Sequence, residues 1–238
     1  MRNLRMNKDW VERPKRTIEF ENGRVGELFG TIDEKTPLVL LNTFKGAGEN
    51  LFSKVKAQEG VQDFALLAMH GMNWNEDLTP WEAPPIQKQG QDFKGQADSY
   101  LGFLLKQALP CFLEERKPRY LAIAGYSLAG LFALYSIFQT SLFRRVACGS
   151  GSFWYPGFAS YVEKNSPLRK PDCVYLSLGD LERKTKNPYL KSVQDETQRI
   201  ERRLKGLEID STFVLNKGNH FQDAEQRMAD GIAWILKR

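Results

Sequence analysis

Histidine is nearly missing from this chain: 238 residues carry two, His70 and His220. Chemistry that needs an imidazole as proton acceptor near neutral pH therefore has two candidates. Cysteine is scarce as well. Cys111, Cys148 and Cys173 are odd in number and widely spaced, a pattern that fits free thiols better than a disulfide or zinc framework. Each lies in or beside an apolar stretch, so all three are expected as buried free thiols, and no metal is expected. Long apolar runs are absent. Phe64–Met69 and Leu121–Ala124 are strand-sized, whereas a membrane-spanning helix takes about 20 residues, so no membrane partner is expected. The stretch from Met1 to Lys8 has no signal-peptide apolar segment, and a cytoplasmic location is expected. No internal repeat or low-complexity linker is found.

The residues present are those of an ordinary globule. Lysine and arginine number 34 against 29 acids, a formal charge of +5. The cations are interleaved with acids, as in Glu182-Arg183-Lys184 and Glu201-Arg202-Arg203. No nucleic-acid module accompanies them, so a solvated basic surface and no nucleic-acid partner are expected. The length suits one domain over residues 1–238, with residues 1–15 as an N-terminal extension.

Thr17–Phe20 and Arg24–Phe29, joined by Glu21-Asn22-Gly23, predict an N-terminal hairpin with Asn-Gly at its turn. Leu38–Asn42 and Phe64–His70 lack polar alternation, the pattern of parallel strands buried on both faces. Further strands are predicted at Tyr120–Ala124, Val146–Gly149, Val174–Leu178 and Ser211–Asn216. Helical spacing appears over residues 94–113, through Leu131, Leu134, Tyr135 and Phe138, near Asp195–Leu204, and over Phe221–Leu236. An antiparallel opening followed by alternating strands and helices predicts a three-layer α/β domain with a mostly parallel sheet. Ligand chemistry in such sheets sits at the carboxyl ends of the strands.

At one such end the chain reads Gly125-Tyr126-Ser127-Leu128-Ala129-Gly130, between a strand and a helix. A serine on so tight a turn has its hydroxyl lifted clear of the sheet, and the positions two before and two after it must be small. Gly125 and Ala129 meet that demand, with Ala129 one methyl larger than the commoner glycine. A serine hydroxyl needs a base. The partners of such a serine follow it in the order acid, then histidine, which selects His220 in the loop Asn216–Phe221 over His70. The acid should follow the penultimate strand, where Asp180 and Glu182 both qualify. Two backbone N–H groups must hold the oxyanion. Leu128 supplies one, and Phe44, with Thr43 next, is the candidate for the other. Gly46-Ala47-Gly48 lacks the ending and spacing of a phosphate loop. Trp74 and Trp81 on one loop and Trp154 with Tyr155 on another leave the sheet on the serine's side, so Trp74 and Trp154 are candidate substrate contacts. Glu76 and Asp77, spaced like half a metal site, have no clear ligand partners and read as a solvated loop.

These motifs resemble the putative-esterase branch of the α/β-hydrolases, which includes feruloyl, siderophore and esterase D-like enzymes. The carriers are Leu40-Leu41-Asn42-Thr43-Phe44, Leu78-Thr79-Pro80-Trp81, residues 125–134, Leu178-Gly179-Asp180-Leu181-Glu182 and Gly218-Asn219-His220-Phe221. In that family the acid commonly stands three residues after the strand-end glycine, which implies Glu182. The resemblance implies a serine carboxylesterase acting through an acyl-enzyme on a small-molecule ester, with no cofactor. An acyltransferase using the same residues and a catalytically silent binding protein of this fold are the alternatives. The short interval between Gly149 and Val174 leaves little or no room for a cap domain.

Overall fold

The computed structural model describes residues 14–86 and 89–238. Most of the extension expected over residues 1–15 therefore lies outside the described residues. Lys15, at its end, already donates its backbone N–H to Leu28 O at 2.7 Å.

The hairpin forms from β1 (Arg16–Glu19) and β2 (Val25–Phe29). Asn22 and Gly23 turn it with φ of 67° and 74°, the left-handed region that Asn and Gly tolerate best. There follow β3 (Leu38–Asn42), α1 (Ala47–Lys56), β4 (Ala65–His70) and the single-turn α2 (Trp74–Asp77). A small ribbon, β5 (Glu82–Ala83) with β6 (Phe93–Lys94), precedes α3 (Ala97–Phe103), a π-helical turn (Leu104–Ala108) and α4 (Leu109–Leu113). Next come β7 (Leu121–Tyr126), α5 (Leu128–Gln139), β8 (Phe143–Gly149) and α6 (Phe158–Lys164). The chain ends with β9 (Cys173–Gly179), α7 (Pro188–Lys191), α8 (Val193–Gly206), β10 (Asp210–Asn216) and α9 (Ala224–Leu236).

Eight strands form one sheet in the order β1-β2-β4-β3-β7-β8-β9-β10. β2 is antiparallel to both neighbours, and every pairing from β4 to β10 is parallel. This is the α/β-hydrolase fold, with a mostly parallel sheet and an antiparallel N-terminal hairpin. The unbroken apolar strands are explained by burial on both sides. Leu38 and Leu40 of β3 join the core packed by α3–α6 and α8, whereas Val39 and Leu41 join the core under α1 and α9. Helix α5 is buried from Leu128 to Phe138, as a helix apolar on every side must be.

One expectation changes. Cys111 is exposed, while Cys148 and Cys173 are buried. The buried stripe of that helix runs through Leu104, Ala108 and Phe112, and Cys111 falls off it. Helix α1, for which no element is predicted from the sequence, buries Leu51, Phe52 and Val55. No helix among the described residues is long and apolar enough to cross a membrane.

Candidate active site

The parallel register brings the carboxyl ends of β3, β7, β8, β9 and β10 together. Asn42 lies beside Gly125, Tyr126 beside Gly149, and Gly179 beside Asn216. Between β7 and α5 the single residue Ser127 makes the whole turn, with φ 59° and ψ −124°. Such a backbone costs about 1–3 kcal/mol and persists only where its surroundings enforce it. Here Ser127 N donates to Gly149 O, and Ser127 O accepts from Ser152 N, each at 3.0 Å. A Cβ on Gly125 would lie 2.3 Å from the carbonyl carbon and oxygen of Ala129, so strand and helix meet here only through a glycine. The methyl of Ala129 itself is accommodated.

Ser127 Oγ lies 3.1 Å from His220 Nε2, and His220 Nδ1 lies 2.7 Å from Glu182 Oε2. A carboxylate can only accept, so Nδ1 carries the proton and Nε2 is left to accept the serine proton. Glu182 is the more deeply buried partner, its side chain 6% exposed against 28% for the histidine. Burial pushes its carboxyl pKa up. Hydrogen bonds from His220 and the Gly179 amide, His220's charge and the Ser150 hydroxyl outweigh that, and the net shift is downward. Glu182 Oε1 accepts from Gly179 N at 2.6 Å and Ser150 Oγ at 2.7 Å. Asp180, the other candidate acid, instead accepts the Gly218 amide at 2.8 Å and braces the histidine loop. That loop passes so close to β9 that a Cβ on Gly179 would sit 2.2 Å from Gly218 O.

Thr43 spends its amide on Met69 O at 2.9 Å, prolonging the β3–β4 ladder. Among the described residues the Phe44 and Leu128 amides have no acceptor, which favours Phe44 over Thr43 as the second oxyanion donor. A cavity of about 340 Å³ opens beside Ser127 and His220, walled mainly by Leu41, Leu51, Ala224 and Met228, with Phe44 and Trp74 at one side. Trp154 is not among the residues that line it. Its ring packs on Phe93 and Tyr155, because the loop after β8 folds back toward the small ribbon. Trp81 likewise packs among Tyr155, Phe158 and Tyr161 and donates its indole N–H to Pro156 O. Asp77 pairs with Arg24 at 2.8 Å, and among the described residues no group of three His, Cys, Asp or Glu could hold a metal. His70 is buried at the end of β4, with Glu27 Oε1 at 3.9 Å, and does not line the cavity.

Four further residues complete the arrangement. Ser150 reaches Glu182 from a backbone with φ 42°. Ser152 Oγ lies 3.3 Å from Ser127 Oγ. Arg227 of α9, 3% exposed, donates to Lys217 O and Asn219 O at 2.8 Å each and lies 3.7 Å from Glu182 Oε1. Tyr126 donates its hydroxyl to His220 O at 2.8 Å, and burial pushes its own pKa up, so it stays a neutral donor. The run Gly149-Ser150-Gly151-Ser152 at a strand end was the one available signal for the two serines. A lone arginine within a helical stripe gave none.

A family model described as "Putative esterase" matches residues 43–220. A curated relative, the "Uncharacterized protein YbbA" of Bacillus subtilis, is 26% identical over 153 residues, which span 62% of this chain and 61% of the relative. The matched stretch is thus less than two thirds of that protein. Among solved structures, an IroE-like serine hydrolase from Shewanella oneidensis is similar with a TM-score of 0.73 and 17% identity, over 93% of this chain and 80% of that one. The BES protein from Bacillus cereus has a TM-score of 0.72 and 17% identity, over 99% and 100% of the two chains. At such identities the structural likeness speaks for the fold.

Proposed function

The chain belongs to the putative-esterase family; from this premise we propose that it is a carboxylic ester hydrolase, that Ser127 is its nucleophile and that hydrolysis runs through an acyl-enzyme. The observation that carries the reading is the unbroken line from Ser127 Oγ through His220 to the buried, ionised Glu182. His220 Nε2 takes the hydroxyl proton as Ser127 attacks the ester carbonyl. Glu182 holds the imidazole tautomer and stabilises the imidazolium without itself taking the proton. The negative charge on the tetrahedral oxygen falls between the amides of Leu128 and Phe44, which have no acceptor to give up. His220 then protonates the departing alcohol, activates a water for attack on the acyl-enzyme, and returns the proton to Ser127. No step draws on a metal or an organic cofactor.

The cavity of about 340 Å³ is at the small end of the range for ligand pockets, and its walls are chiefly apolar. It suits one modest apolar portion of an ester, with the remainder directed outward past Phe44 and Phe221, which are 64% and 85% exposed. The substrate is therefore a small-molecule ester that is either small or extended.

Pre-steady-state hydrolysis of 4-nitrophenyl acetate tests the reading. An acyl-enzyme releases a burst of nitrophenol stoichiometric with protein wherever deacylation is the slower half. The burst and the turnover should both vanish in Ser127→Ala. Full ester hydrolysis by that variant would sink the proposal.

A further inference from the structure

The two oxyanion donors are held by different means. The Leu128 amide opens a buried helix, whereas Phe44 lies on a short exposed connection between β3 and α1. The backbone there is tied at Thr43 N to Met69 O and at Phe44 O to Ala47 N, and neither bond fixes the direction of the Phe44 amide. Its side chain does have a partner. The Phe44 ring lies flat on Trp74, with centroids 4.3 Å apart and planes 9° apart. Among the described residues it has no other ring contact.

Trp74 is itself anchored from behind. Helix α2 is a single turn, too short to persist alone. Asp77 accepts the Asn73 amide at 3.0 Å across that turn and takes the Arg24 guanidinium at 2.8 Å. Arg24 comes from the N-terminal hairpin and lies over the rings of Tyr100 and Phe103 at 5.1 and 4.8 Å. Both members of the pair are largely buried. A fixed platform thus runs from the hairpin through Asp77 to the indole, and the exposed Phe44 ring rests on it.

We propose that Trp74 is a positioning residue for the oxyanion hole, acting through the stacked Phe44 ring to hold the Phe44 amide toward the reacting carbonyl. This rests on the reading of Ser127 as nucleophile and goes beyond it. It also differs from the simpler role of a cavity wall that touches substrate. The two roles diverge in their dependence on the acyl group. Every ester places the same oxygen in the oxyanion hole, whereas only a long acyl chain gains from an extra wall.

The experiment compares 4-nitrophenyl acetate, butyrate and hexanoate with wild type, Trp74→Ala and Trp74→Phe, each normalised by fluorophosphonate titration of active sites. Misplacing one donor by a fraction of an ångström should lower kcat/KM in Trp74→Ala roughly tenfold or more, by a common factor for all three esters. Trp74→Phe keeps a stacking face and should recover most of the loss. An unchanged rate for acetate, with a loss growing along the series, would overturn the proposal in favour of a substrate wall. Should Trp74→Ala fail to fold, Trp74→Leu fills the volume without a stacking face and gives the same two readings. Wild-type protein that neither labels at Ser127 nor turns over any ester would bring down both this proposal and the one beneath it.

Discussion

The two halves of the site are built from different forces. On the acid–histidine side, after β8, β9 and β10, the acid and the arginine behind it are buried and multiply bonded. Glu182 takes three hydrogen bonds, and Arg227 grips the histidine loop by two carbonyls. On the oxyanion side, after β3 and β4, a backbone amide projects from an exposed segment whose side chain is held by ring stacking. The division follows the chemistry. A proton relay needs fixed direction over tenths of an ångström, which hydrogen bonds in a low-dielectric interior supply. The oxyanion side must also admit substrate, so its supports stand at the open rim, where apolar faces tolerate water and ligand alike.

The contrast can be broken most forcefully at its hinge. Ser127→Ala and His220→Ala should each lower kcat by roughly 10⁵- to 10⁶-fold, and their double variant should be no worse than either; steady-state rates with one activated ester decide this. Glu182→Gln should follow with a loss of roughly 10³- to 10⁴-fold. If Glu182→Gln stayed within tenfold of wild type, the dense bonding of that side would serve folding rather than proton transfer.

Arg227→Met sharpens the comparison in stability rather than rate. It leaves two loop carbonyls without their donor and a buried carboxylate without its nearest cation. A loss of roughly 3 kcal/mol is expected from denaturant melts. Acid titration of stability probes the same side. The native pKa of Glu182 is lowered, so its contribution is fully present above the unfolded carboxylate pKa. That contribution is lost as pH falls through the lower native value. Melting temperatures followed from neutral pH to pH 3 should drop more steeply below about pH 4.5 in wild type than in Glu182→Gln. Parallel curves would mean that the carboxylate gains nothing from its donors. Asp180→Asn gives the smallest effect, a few-fold loss of rate at most, because the residue offers the loop one hydrogen bond from the Gly218 amide.

Much of this was legible before any coordinates, and unevenly so. Ser127 could be read because its constraint is local: the tight turn demands small neighbours within two residues on either side. His220 could be read by scarcity, since the only other histidine precedes the serine. Local sequence left Glu182 and Asp180 open, and family resemblance favoured the former. The geometry separates them, one meeting the imidazole and the other the loop backbone. Arg227 carries no sequence signal, and the roles of Ser150 and Tyr126, which stand at glycine-containing strand ends, rest on contacts across the fold to Glu182 and His220. Trp74 and Trp154 looked alike as aromatics at strand ends. Only the packing of their loops, one against Phe44 at the cavity and the other against Phe93 and Tyr155, tells them apart. Helix α1 went unread because its opening glycines masked a regular apolar stripe.

The chemistry of the site turns on Ser127 being an armed nucleophile. Fluorophosphonate labelling with peptide mapping by mass spectrometry tests it most directly. The expected result is one adduct per chain, on Ser127, abolished in Ser127→Ala and strongly slowed in His220→Ala. Folded wild-type protein that takes no label, or takes it on another residue, would contradict the account.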